Sequence, residues 1–472
     1  MPWSLPFSRP CYSEAHRRLR IGAYALFAII MLTVVVQFQF GTVKRLNDPA
    51  SKGHKGAIAR WRQPFRSFWD GEDIYLTQRH PNMPFTVILL SPIILLPTTV
   101  MAATLSCLKL ATLAASILMV ARIAGHRQQK TCDWVIGLAL LWSLQMPVSD
   151  IQHGNTNIFV LGLVLLHLWL FRRGQDLQAG AALAVAICLK MTPALFLLYW
   201  LYQRNWKLLG AAVVAAIVLA VGVPALAVGP TRYVALMNSW LTHLIVPGLV
   251  KGAWYPIHIN QSLPGVMSRY FLSGPNGDIF WNPDDAVIPG SLHESAWITL
   301  LPLTESTVKT MVRGIQMLVV AAIAWGIGSR KLPRDDGRRM LHYGMITLGM
   351  MILNQRTWLH HATVLLVANV AIWQAIAFGR MRRRARRWAL VLMILAGPLL
   401  WLNASDLYKV IAVAVGRTSR IGELWADYAD AYGPTFWFFM LLLAVSVLLA
   451  RAMRQSDPAY AGKRQTLSDE LT

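Results

Sequence analysis

The chain has 472 residues, of which 55% are hydrophobic and only 14% charged, against about 25% charged in soluble domains. With a mean hydropathy of +0.44, this excludes a soluble globular protein and predicts an all-α polytopic membrane protein. The net charge of +23 does not imply nucleic acid, because the lysines and arginines fall in short clusters between apolar runs, where they set orientation. Cys11, Cys107, Cys132 and Cys188 have no paired spacing, so neither a disulfide framework nor a cysteine metal site is expected.

Arg17, Arg18 and Arg20 precede a first apolar run over 21–40. The run is too long for a signal-peptide core and lacks a clear small-residue cleavage site, so it reads as a first transmembrane helix with a cytoplasmic start. The polar segment 41–83 must then lie outside. It carries eight lysines and arginines against four acids, an excess that suits an anionic head group. Residues 57–69 mix aromatic and basic side chains as an interfacial helix does. A short apolar segment ends at Pro97, a full span follows over 98–122, and Arg122, His126, Arg127 and Lys130 close it on the inside.

Spans are predicted over 133–148 and 157–171, joined by an outer polar turn from Ser149 to Asn157 that holds Gln152, Asn155 and Asn157. These three are candidate ligands for sugar hydroxyls, although an asparagine there also suits a helix N-cap. The segment between Arg172-Arg173 and Arg204/Lys207 has basic residues at both ends, so both ends belong on one face. Each arm of 12 to 15 residues rises only about 20 Å, short of a ~30 Å hydrocarbon core. The turn Lys190-Met191-Thr192-Pro193 therefore lies within the membrane. Proline breaks the helix there, and an intramembrane lysine marks a functional site.

A span over 207–228 leads to the longest outer segment, 229–305, with Trp254, Tyr255, Asn260 and Arg269 in it. A span over 307–328 is followed by a basic inner loop. The apolar segment 340–378 is interrupted from Asn354 to His361, and the basic run 380–387 marks the inside again. Spans over 388–403 and 434–450 flank an outer loop with Asp406, Asp427 and Asp430. In all, about twelve transmembrane or re-entrant segments are expected, with both termini cytoplasmic. The domains are a cytoplasmic N-terminus (1–20), one membrane domain (21–451) and a polar tail (452–472).

Four polar sets converge under this topology: the 41–83 loop, the Gln152–Asn157 turn, Lys190, and the Asn354–His361 break. A cationic, amide-rich pocket at a membrane surface suits a phosphate on a lipid tail. Lys190 and Arg356 are its expected phosphate ligands, and His360 and His361 are expected to contact donor phosphate or acceptor. The chemistry is transfer of a group from a lipid phosphate to a hydroxyl, which needs a base and a stabilised leaving phosphate.

Gln152-x-Gly154-Asn155-x-Asn157, the Lys190-Met-Thr-Pro193 turn, and Trp358-Leu-His360-His361 after a broken helix together resemble the polyprenol-dependent glycosyltransferases of family 87, in the GT-C superfamily. Gly71-Glu-Asp-Ile-Tyr75 followed by Pro81-Asn-Met-Pro84-Phe85 is similar to a further block of that family, as is Asn260-Gln-Ser262 with Arg269. The resemblance runs over roughly 20 to 400. It implies a GT-C-type helix bundle and inverting transfer, usually of mannose, from a polyprenyl-phosphate sugar to a lipid or glycan acceptor at the outer face of the plasma membrane. No metal or cofactor is implied. Tyr75, Asn260 and Arg269 become substrate-binding candidates, and the base becomes an aspartate in the first outer loop. Here the sequence departs from the pattern, because no acid lies between Ser51 and Trp69. Asp48 is the expected base, with Asp70, Glu72 and Asp73, or a histidine, as alternatives, and His360 and His361 are counted with it as catalytic candidates. A secondary transporter with a broken helix, or an envelope-assembly scaffold, is the competing reading.

Overall fold

A computed structural model describes residues 14–47, 57–78, 80–125, 131–252, 254, 257–272, 298–328, 331–402 and 405–456. The described chain is helical throughout, and its core is one continuous apolar cluster. Among the described residues, seven helices are long and apolar enough to cross a membrane. The pair Asp133–Ser143 and Gln145–His153, bent by 52°, has the length and apolarity of a broken span or a re-entrant loop.

Two helices form the centre. Arg338–Ile352 is buried at all 15 positions, and Leu359–Phe378 follows it after the break. Helices Pro434–Gln455 and Glu305–Ile327 pack on the first of these. The periphery is exposed and apolar, as at Leu226, Met317 and Leu318, which is the surface a lipid solvent demands.

The bundle has two chemically distinct ends. One is basic: the Arg334 guanidinium is bidentate on Asp176 at 2.6 and 2.7 Å, and Arg339 donates to the Tyr199 hydroxyl and the Pro333 carbonyl. Arg172 donates to the carbonyls of Arg122, Ile123 and Gly125, so it caps the C-terminus of helix Thr98–Ala124, where a cation complements the helix dipole. Helix Glu14–Asn47 starts at this end, since Tyr24 donates to Asp133 at 3.2 Å. It also packs along Thr98–Ala124 and Gln145–His153, so that Asn47 reaches the other end.

The chain reverses at Lys190. His167 Nδ1 donates to the Ala179 carbonyl at 2.9 Å, and Trp200 Nε1 donates to His167 Nε2 at 2.9 Å. In a continuous helix Ala179 and Trp200 would stand roughly 30 Å apart; one imidazole bridges them. Helix Asp176–Leu189 therefore rises and Leu195–Tyr202 returns. The next helix, Trp206–Ile217, runs parallel to the first arm: Gly180 lies against Leu208, Ala211 and Ala212, and Cys188 reaches the Ala216 carbonyl. A Cβ at Gly180 would sit 2.7 Å from Ala212 N and Leu208 O, so this close approach requires glycine. The rising arm has 14 residues, about 21 Å, too short to span.

The segment 229–305 differs from expectation at its start. Pro230–Trp240 and Leu241–Val250 form a continuous helix, because the proline and glycine richness that reads as loop is concentrated beyond Lys251. Arg232 packs on Phe68, Trp240 donates to the Pro81 carbonyl, and Gln355 donates to the Gly248 carbonyl. The helix thus lies across the end of the bundle opposite the arginines.

The first polar segment also folds there. Trp61 and Phe65 of helix Ala57–Trp69 stack on one another and meet the His80 ring edge-on, with centroids 5.8 and 5.6 Å away. Neither His80 ring nitrogen has a hydrogen-bond partner among the described residues, and burial pushes the imidazole down to about 3 from its ordinary 6.5. The folded value lies below the unfolded one, so the unfolded chain takes up the proton first. Stability then falls as pH drops below about 6.5, by about 2 kcal/mol at pH 5. Thermal midpoints in detergent at pH 7 and 5 should diverge more for the native protein than for His80→Phe; equal slopes would contradict this assignment.

Candidate functional site

Three of the four polar sets meet at the end opposite the arginines. Helix Gln145–His153 ends at Gly154, whose φ of +62° closes the helix in a left-handed cap that glycine adopts without a Cβ penalty. The turn then brings Asn155 and Asn157 inward, and both are buried. Asn155 Oδ1 accepts from Thr156 N at 2.8 Å, which directs its Nδ2 to His360 Nε2 at 3.0 Å. Asn157 Oδ1 accepts from Lys190 Nζ at 2.5 Å. Thr86, near the start of helix Pro84–Ile94, donates to the Cys188 carbonyl at 2.9 Å and so supports the reversal from below.

The histidines stand across from the lysine. His360 stacks on His153 with centroids 4.8 Å apart and meets His361 edge-on at 4.6 Å. Trp358 stacks on His361 at 5.7 Å. His361 Nδ1 lies 3.2 Å from the Arg356 carbonyl. The Trp358 N–H also faces Nδ1, at 3.5 Å, so this ring nitrogen lies between a backbone donor and a backbone acceptor. Lys190 and Arg356 are both within electrostatic reach of His361. From the first polar segment, Arg60 is within electrostatic reach of His153.

A buried ion pair lies beneath. Lys109 Nζ contacts Asp150 Oδ2 at 3.0 Å, with both side chains essentially inaccessible, and donates to the Asp150 carbonyl at 2.8 Å. Asp150 Oδ1 accepts from Asn157 N and Nδ2 at 3.1 and 2.9 Å, and Ile158 N approaches Oδ2 at 3.4 Å. This aspartate is saturated with donors, which suits a counter-ion rather than a base. Neither residue stands out as a site residue in the sequence. The available signal was Lys109, a lone cation inside an apolar run, since an ionisable group inside a bilayer needs a partner; Asp150 was hidden in the polar turn Ser149–Asn157.

The other expected site residues take different positions. Gln152 is exposed and joins none of these bonds. Tyr75 is buried and donates to the Asn82 carbonyl at 3.0 Å, fixing the turn before Pro84. Asp73 caps helix Ile74–Thr77 by accepting from Tyr75 N and Leu76 N, while Asp70 and Glu72 are exposed. Asp48 lies outside the described residues, as does Tyr255.

Asn260 and Arg269 act on the histidine loop from behind. Asn260 donates to the Gln355 carbonyl at 3.1 Å and accepts from Thr357 N at 3.0 Å. Arg269, 1% exposed, donates to the carbonyls of Ala431, Ile257 and Asn260 at 2.8 to 2.9 Å. Burial pulls its guanidinium down to about 10 and pushes the neighbouring Asp430 carboxyl well above its usual range. Arg269→Met should therefore destabilise the protein by roughly 2 to 5 kcal/mol, because three buried carbonyls lose a charged donor; an unchanged thermal midpoint would contradict the structural role.

The geometry is that of a multi-pass helical membrane protein with a cationic, amide- and histidine-lined site at one end. Residues 82–353 match the model of glycosyltransferase family 87, more than half of the chain, and the protein belongs to that family. Over 362 residues, 71% of each chain, it is 25% identical to the polyprenol-phosphate-mannose-dependent alpha-(1-2)-phosphatidylinositol mannoside mannosyltransferase of Mycobacterium tuberculosis. Among solved structures it is similar to ArnT from Cupriavidus metallidurans, bound to undecaprenyl phosphate and in the apo state. The identities are 15% and 16% and the TM-score 0.40 in both cases, over 91% of this chain and 78% of that one; a likeness this distant has no bearing on the site.

Proposed function

We propose that the protein transfers a sugar, mannose, from a polyprenyl-phosphate donor to an acceptor hydroxyl at the extracytoplasmic face of the plasma membrane. The observation that carries this reading is the Lys190 ammonium at the reversal of a short hairpin, bound to Asn157 and beside His360 and His361. A cation at that depth meets the phosphate of a lipid whose tail stays in the bilayer. The arginines at the opposite end support a cytoplasmic assignment for that end, which puts the site outside.

In this reading Lys190 and Arg356 bind the donor phosphate and stabilise the charge it gains on leaving. Asp48, which follows Asn47 in the sequence, takes the proton from the acceptor hydroxyl. The hydroxyl oxygen attacks the anomeric carbon, the bond from that carbon to the phosphate oxygen breaks, and polyprenyl phosphate departs. A single displacement inverts the anomeric centre. Asn155 orients His360, whose face and that of His361 line the acceptor side. The large polar segments at the site end favour an enzyme over a transporter. The reading is tested by incubating purified protein in proteoliposomes with radiolabelled polyprenyl-phosphate mannose or GDP-mannose and a membrane lipid extract. Label should move to acceptor from the lipid-linked donor alone. Transfer from GDP-mannose, or from neither, would defeat the proposal.

A further inference from the structure

Lys109 and Asp150 are too deep to touch a sugar, yet they form the most completely bonded charged pair in the site. Asp150 contacts the two elements whose placement decides where Lys190 points: it holds the first N–H groups of helix Asn157–Arg172, and it fixes the Asn157 amide through Nδ2. With Nδ2 committed to Asp150, Asn157 Oδ1 is left facing the Lys190 ammonium. Lys109 supplies the opposite charge from a different helix.

We infer that the Lys109–Asp150 pair is a positioning device for Lys190, acting through Asn157. The inference rests on the donor-phosphate reading of Lys190. Without Lys109, the Asp150 carboxylate would be a buried anion within electrostatic reach of Lys190, and it would draw that ammonium away from an incoming phosphate. Without the Asp150 charge, Lys109 would be an unpaired cation on the same side as Lys190, and the Asn157 amide would exchange its charged acceptor for a weaker neutral one. The pair therefore sets the direction of the Lys190 charge as well as the helix entry.

The test measures binding of a polyprenyl phosphate, and of the same polyprenol without phosphate, to protein in nanodiscs. Lys109→Met and Asp150→Asn should each weaken phosphate binding at least tenfold and leave polyprenol binding within about twofold. The double variant, which removes both charges, should bind the phosphate more tightly than either single one. Asn157→Ala keeps the ion pair and cuts only the link, so it should reproduce the tenfold loss even where a charge variant does not fold. Equal losses for phosphate and alcohol would reduce the pair to a packing element and overturn the inference. A double variant no better than the weaker single one would do the same. If Lys190→Ala weakens phosphate binding and Asn157→Ala does not, the positioning role fails while the donor site stands. If Lys190→Ala itself has no effect, both fall together.

Discussion

Lys190→Ala is expected to weaken donor binding by ten- to a hundredfold and to abolish detectable transfer. The binding loss corresponds to removal of one charge-assisted hydrogen bond to a phosphate, about 1.5 to 3 kcal/mol. The rate suffers further because the leaving phosphate gains charge as the glycosidic bond breaks, and a cation aimed at developing charge contributes a factor of about 10² to 10³. Lys190→Arg keeps the charge but not the shape. Asn157 Oδ1 lies only 2.5 Å from Nζ, so the longer, planar guanidinium has to displace that contact, and binding should recover more than turnover. Donor titration and single-turnover transfer measured on the same samples separate the two effects. Wild-type transfer by Lys190→Ala would remove the lysine from the mechanism.

Asp48→Asn should show the opposite division. It leaves a side chain of the same shape that cannot accept the hydroxyl proton, so transfer should fall by about 10² to 10⁴ while donor binding stays within about twofold. The same change at Asp70 or Glu72, which are exposed, should be nearly silent. Asp73→Asn should cost little turnover, because its carboxylate is engaged in capping helix Ile74–Thr77 and an asparagine caps nearly as well. Should Asp70 or Glu72 carry the large loss instead, the base assignment moves to that residue.

The architecture was legible wherever the physics was local. The charge clusters at Arg172-Arg173 and Arg204/Lys207, set against arms too short to span, predicted a reversal at Lys190, and the His167 bridge between Ala179 and Trp200 shows it. The break from Asn354 to His361 was equally plain, as a polar interruption in an apolar run. Partnership between distant segments was not legible. Asn260 and Arg269 sit in a polar stretch that suits ligand contact as well as scaffolding, and only the fold brings their donors onto the 354–357 backbone and the Ala431 carbonyl. Nothing local pairs Lys109 with Asp150, 41 positions away; only the fold closes that ion pair. The helix over 230–250 was hidden because the composition of the whole 229–305 segment is dominated by its later residues.

The Lys190 ammonium is proposed to receive a lipid phosphate at the end of the bundle opposite Arg172, Arg334 and Arg339. A cryo-EM reconstruction with bound polyprenyl phosphate tests it most directly. Phosphate density is expected within about 3 Å of Lys190 Nζ, the distance of a charge-assisted hydrogen bond, with the polyprenyl chain running out between helices into lipid. A phosphate bound instead among Arg172, Arg334 and Arg339, with Lys190 unchanged, would contradict it.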